Sequence, residues 1–227
     1  RFKDVRMQLR GDPLSPYFDP QFNDESELAN SAFWLMGERD GEPVYLDAYR
    51  FYHAYGDFRQ WVIGWLMRSH TLAGEDIHLI APKGPASAFS RSLNARTVYR
   101  GELFLSPKLR DVAKSSATDD LCRLSMALAW QAFQPDAIWG LTTESRARRG
   151  AMRRIGFSYS EANFIQWTRR PDCVEEDNET LVATPRDQIA LQIQSGNDNG
   201  PRQNAAMNIA TGPVMASNQV VEPLVGF

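Results

Sequence analysis

The 227 residues contain only two cysteines and three histidines, and none of the five stands at metal-ligand spacing from another. His53, His70 and His78 form neither H-x-x-x-H nor H-E-x-x-H, so no metal site is expected. Cys122 and Cys173 read as free thiols of a reducing compartment, with a single disulfide as the alternative. No apolar run approaches the roughly 20 residues of a membrane helix. No signal peptide is visible ahead of the first elements, and cytoplasm is the expected location. Charge of one sign is also lacking. With 25 Lys+Arg against 28 Asp+Glu the formal charge is −3, which gives no support to a nucleic-acid partner. There is no G-x-S-x-G, and "APKGPAS" lacks the G-K-[ST] of a phosphate loop.

What is present is a core and a regular alternation of elements. Hydrophobic residues make up 43% of the chain, enough for one sizeable domain. "SAFWLMGERDGEPVYLDAYRFY" (31–52) predicts a hairpin turning at Asp40-Gly41. Phe58, Trp61, Val62, Trp65 and Leu66 recur at helical spacing behind Asp57, a candidate N-cap. The two tryptophans belong to a core or an interface rather than to a base-stacking platform. "DIHLIAP" (76–82) reads as a short strand, 83–96 as a loop, and "RTVYRGELFLSP" (96–107) as a long strand stopped by Pro107. Thr118-Asp119-Asp120 opens a helix that Pro135 ends, and "DAIWGLTTE" (136–144) is a buried strand.

The segment "TTESRARRGAMRRIGF" packs five arginines into nine positions and reads as one helix capped by Gly156. At 100° per residue Arg146, Arg149, Arg153 and Arg154 share a solvated arc, with Ala147, Ala151, Met152 and Ile155 opposite. That makes the arginines the wet side of an amphipathic helix, with an anionic ligand or surface as the alternative. Arg148 falls inside the apolar arc, where it either snorkels to water or needs an anionic partner. "FSYSEANFIQWTRRP" completes the series as one strand or a bent pair. Residues 174–227 differ in kind: two arginines face seven acidic residues, a net of −5. Within them "QIALQI" (188–193) alternates like a strand with one buried face.

This order resembles the GCN5-related N-acetyltransferase (GNAT) fold, which runs hairpin, long strand, helix, strand, helix and final hairpin. "DAIWGLTTES-RARRGAMRRIGF" is similar to the fifth strand and following helix of that family, and "LFLSPKLRD" to its L-x-V-x-P-x-x-R-G. The resemblance covers roughly residues 31–170. It implies an α/β (α+β) domain over 1–173, with a mixed, mostly antiparallel sheet flanked by helices. Residues 174–227 follow as an extended acidic tail, expected to assemble the chain into a homo-oligomer. After Arg110 the family's glycine-rich pyrophosphate cradle is replaced by Asp111-Val112-Ala113-Lys114-Ser115-Ser116. The family's frequent tyrosine acid falls on Met152. Such losses resemble the acyl-homoserine-lactone synthases and related long-chain acyltransferases, which take acyl groups from acyl carrier protein.

The resemblance implies transfer of an acyl group from acyl-CoA (acetyl or longer), or from acyl carrier protein, to an amine, without a metal. A non-catalytic module that assembles through the tail is the alternative. The carrier or coenzyme would meet Arg110, Lys114, Ser115, Ser116 and Arg148, and the Leu105 main chain would polarise the thioester carbonyl. Glu102 is a candidate base, or else a strand-edge glutamate in solvent. Tyr159 is a candidate acid for the thiolate, or else a packed aromatic. Glu144 is a further catalytic candidate, or else a helix N-terminal charge.

Overall fold

A computed structural model of the protein describes residues 2–93, 95–107, 117–172, 174–197 and 208–212. Helix α1 (Phe2–Arg10) and the short α2 (Glu25–Ser31) precede the hairpin β1 (Ala32–Arg39) and β2 (Glu42–His53). Asp40 and Gly41 both take positive φ, 53° and 77°, the tight two-residue turn that an Asp-Gly pair favours. Helix α3 (Phe58–Leu72) follows, capped where Asp57 accepts the Gln60 N–H at 3.0 Å, a contact of about 1 kcal/mol. Next come β3 (His78–Ile80), α4 (Ala88–Ser92), β4 (Arg96–Leu105), α5 (Ala117–Phe133) and β5 (Ala137–Thr143). The chain continues through α6 (Glu144–Arg148), α7 (Ala151–Arg154), β6 (Tyr159–Arg169), β7 (Asn178–Pro185), α8 (Arg186–Asn197) and β8 (Asn208–Gly212).

All eight strands join one sheet in the order β3-β6-β7-β5-β4-β2-β1-β8. Every neighbouring pair is antiparallel except β4–β5. The long strand β4 is interior, and this mixed, mostly antiparallel α/β sheet is the architecture that the GNAT resemblance implies. One face packs Phe2 of α1 and Phe58, Val62 and Leu66 of α3 onto Tyr99, Trp139, Phe164 and Trp167. The other packs Leu121, Met126 and Ala129 of α5 and Ile189 of α8 onto Val98, Ile138 and Val182. Both faces of the central strands are covered, which explains their unbroken apolar runs.

The structure corrects four sequence readings. The loop expected at 83–96 contains α4, whose Ser87 hydroxyl accepts the Ser90 N–H at 3.0 Å. The arginine helix is two short helices, broken at Gly150, which takes φ 72° and restarts the spiral in a new direction. "QIALQI" is helical: Ile189 is buried and Leu191 is 55% exposed, so the apolar side follows helical rather than strand spacing. Finally, the stretch expected as an outlying tail supplies β7, which pairs with both β5 and β6 inside the sheet. Residues 198–207 and 213–227, the rest of that stretch, lie outside the described residues.

Candidate active site

The sheet opens at its one parallel pair. β4 and β5 keep register only through Thr97–Ala137, Val98–Ile138 and Tyr99–Trp139, although β4 runs on to Leu105 and β5 to Thr143. β5 stays paired along its whole length with β7 on its far side, and β4 stays paired with β2. The facing edges beyond Tyr99 and Trp139 therefore leave a V-shaped gap. Gly140 stands at its apex, where an added Cβ would lie 3.0 Å from the Arg100 carbonyl oxygen.

A bulge accompanies the parting. Between Ala48↔Gly101 and Leu46↔Phe104, β4 takes three steps while β2 takes two. Glu102 occupies the extra position with φ 59°, a conformation costing roughly 1–2 kcal/mol for a residue with a side chain. Its carboxylate is held on every side: Arg6 Nε of α1 and the Ser15 hydroxyl donate to it, and the Ser15 N–H joins at 3.1 Å. Arg6 also donates to half-buried Asp12, so an Asp12–Arg6–Glu102 chain pins α1 onto the bulge. Glu102 is thus not a strand-edge glutamate in solvent, and the candidate base is held by Arg6 and Ser15. Leu105 stands opposite Tyr45, next to the 2.9 Å bond from Ser106 N–H to the Val44 carbonyl. In the antiparallel alternation its own main-chain groups turn away from β2, toward the gap.

Beneath the gap lies a buried charge cluster. Asp47 of β2 accepts from Arg100 Nη2 at 2.7 Å and Nε at 3.0 Å, and from the Tyr45, Tyr49 and Ser125 hydroxyls at 2.7, 3.1 and 2.9 Å. Arg100 Nη1 reaches across to the Ile155 carbonyl oxygen at 2.5 Å, tying β4 to the end of α7. Burial, followed by the Asp47 charge, pushes the Tyr45 hydroxyl well above its ordinary pKa, so it remains a donor to that carboxylate.

On the opposite face Glu179 of β7 is paired in register with Thr143, the last residue of β5, one strand from the gap. Burial raises its carboxyl to about 7, partly offset by the Trp167 Nε1–H that donates to Oε2 at 3.1 Å. Tyr99 lies close to both carboxylates; burial first, then Glu179 and Glu102, drive its hydroxyl well above the usual range. Sequence reasoning passed over Glu179 because it sits in the acidic stretch. The short β-prone run Thr180-Leu181-Val182-Ala183-Thr184 was the available signal that this stretch is a strand.

The remaining candidates are not gathered at the gap. Tyr159 on β6 is separated from it by β7 and β5, and donates to Ser87 Oγ at 2.6 Å while its ring packs at a tilt against Phe89. Glu144 opens α6 and takes an ion pair from Arg148 at 2.5 Å, the helix-terminal reading. Arg148 itself is 77% exposed, because the break at Gly150 removes the buried arc it was expected to face. Arg146 pairs with Glu175 at 2.7 Å, whereas exposed Arg149, Arg153 and Arg154 make no ion pair among the described residues. Arg110, Lys114, Ser115 and Ser116 lie outside the described residues. Among the described residues no group of three or more His, Cys, Asp or Glu side chains is placed to hold a metal, and no helix is long and apolar enough to cross a membrane.

No protein-family model matches the chain, and no curated protein matches it. Among the solved structures similar to it at low identity are two synthases. One is FeeM, an N-acyl amino acid synthase from uncultured soil microbes: 11% identity over 87% of this chain and 89% of that one, with a TM-score of 0.41. The other is BjaI, a CoA-dependent acyl-homoserine lactone synthase with SAM and isopentyl-CoA: 11% identity over 84% of this chain and 85% of that one, with a TM-score of 0.35.

Proposed function

We propose that the protein transfers an acyl group from a thioester, carried by coenzyme A or acyl carrier protein, to an amine in the gap between β4 and β5. The observation that carries this reading is the parting of the two parallel strands after three registered pairs, with a bulge on one of them. Such a gap admits a slender chain edge-on, the geometry that a thioester arm needs to lie between two strands. In the step, the amine nitrogen attacks the thioester carbonyl carbon, the carbon–sulfur bond breaks and the thiolate leaves. The Leu105 main chain would border the carbonyl. Glu179, one strand from the gap with its carboxyl raised to about 7, is the group suited to take the amine proton through water. Glu102, saturated by Arg6 and Ser15, serves instead to fix the bulge. The segment carrying Arg110, Lys114, Ser115 and Ser116 precedes α5 and would meet the phosphates or the carrier. Arg149, Arg153 and Arg154 offer an acidic carrier a cationic approach.

A non-catalytic module is the second reading, and the saturated state of Glu102 favours it. Native mass spectrometry after incubation with acetyl-CoA, octanoyl-CoA and octanoyl acyl carrier protein separates the two. A one-to-one complex with at least one donor supports transfer; no complex with any of them leaves the interaction module.

A further inference from the structure

A second hollow lies at the far edge of the sheet, separated from the β4–β5 gap by β5 and β7. β3 pairs with β6 only as far as Ile80↔Gln166, then the chain turns away through Pro82 and Lys83. There β6 bulges: Glu161 pairs with Leu181 and Ile165 with Glu179, so four steps of β6 match two of β7. Asn163 sits on the bulge with φ 50°, a left-handed conformation that asparagine tolerates better than most residues. The diverging segments enclose about 390 Å³.

We propose that this hollow is a binding site for a small organic carboxylate that also carries hydroxyl or amide groups. Its walls include Arg59, Lys83, Glu161, Asn163, Gln166 and Asn178, with no aromatic ring to stack a base or sugar. The side chains of Lys83, Asn163, Gln166 and Asn178 make no hydrogen bond or ion pair among the described residues. Three carboxamides, each both donor and acceptor, therefore converge with one uncompensated ammonium.

The single acid of the wall is already committed. Glu161 Oε1 accepts from Arg59 Nη2 at 2.8 Å and the Ser87 N–H at 3.0 Å, while Oε2 accepts from Tyr159 at 3.2 Å. Burial works to raise the Glu161 carboxyl, and the Ser87 and Arg59 bonds outweigh it and hold it low, hence ionised. Arg59, only 6% exposed, balances that charge. The wall thus presents one net positive charge. That matches a monoanion better than a phosphate, which brings nearly two negative charges, and its polarity excludes an acyl chain.

The test is a titration of 15N-labelled protein, following the side-chain amide signals of Asn163, Gln166 and Asn178. Glycerate is the probe, with glycerol, inorganic phosphate and sodium chloride at matched ionic strength as comparisons. The expected result is a saturable shift of these signals with glycerate alone. Lys83→Gln and Asn163→Gly should each weaken it about fivefold, the scale of one exposed polar contact. Both variants are safe for the fold, since Lys83 is exposed and glycine accepts the backbone of residue 163. Absence of a saturable glycerate shift up to about 20 mM, a weak-binding limit, overturns the proposal. So does equal binding of glycerol or phosphate, or an unchanged affinity in Lys83→Gln.

Discussion

Replacing Glu179 by glutamine should stabilise the protein in alkaline solution and leave it unchanged in acid. The carboxyl titrates at about 7 in the folded chain against 4.5 when unperturbed, because burial disfavours its charged form. Below the lower value both folded and unfolded chains hold the proton, and the group contributes nothing to the balance. As pH rises from 4.5 to 7 the unfolded chain releases its proton first, so stability falls across that window and levels off above it. A shift of this size corresponds to about 3 kcal/mol at full development. Glutamine stays neutral throughout and its carbonyl oxygen can still accept the Trp167 Nε1–H, so it removes the penalty while keeping the bond. Urea unfolding at pH 4.5, 6 and 8 is the assay. The variant should match the parent at pH 4.5 and exceed it by up to about 3 kcal/mol at pH 8. A difference that does not change with pH, or a variant less stable at pH 8, would refute the assignment of Glu179 as a desolvated carboxyl. If acyl transfer also uses Glu179, the same variant loses turnover while gaining stability.

Asp47→Ala leaves the buried Arg100 charge without its carboxylate and should cost about 3–5 kcal/mol in chemical denaturation. Adding Arg100→Leu should recover part of that loss, and a double variant worse than the sum of the two singles contradicts the pairing. Gly156→Ala meets both a φ of 102° and the Met126 sulfur, which the new Cβ would overlap. Met126 can swing aside, so the backbone sets a loss of roughly 1–3 kcal/mol, read as a lowered urea midpoint; an unchanged midpoint argues against this conformation.

Elements whose signals are local were legible in the sequence. Asp57 caps α3, Asp40-Gly41 turns the hairpin, and the apolar content of β4 and β5 marks them as interior. Short segments compatible with two periods were not. Ile189, Leu191 and Ile193 satisfy strand alternation over six residues, yet Ile189 and Ile193 are also one helical turn apart, and packing against α5 chooses the helix. In the arginine segment a continuous arc was drawn through Gly150, the one residue able to break it. β7 was hidden by its acidic surroundings: overall composition outweighed the short Thr-Leu-Val-Ala-Thr run that actually pairs. The site depended most on contacts remote in sequence. Glu102 was visible on β4, but Arg6, which closes over it, comes from the first helix. Tyr159 follows Gly156-Phe157 closely in sequence, yet β6 lies beyond β7 and so carries it away from the gap.

The central claim is that a thioester lies between β4 and β5. Hydrogen–deuterium exchange of the main-chain amides, with and without saturating octanoyl-CoA or octanoyl acyl carrier protein, tests it most directly. Protection concentrated in residues 100–105 and 140–143, the facing edges beyond the last registered pair, is the predicted result. Donor-induced protection that bypasses both edges, or none with either donor, would contradict it.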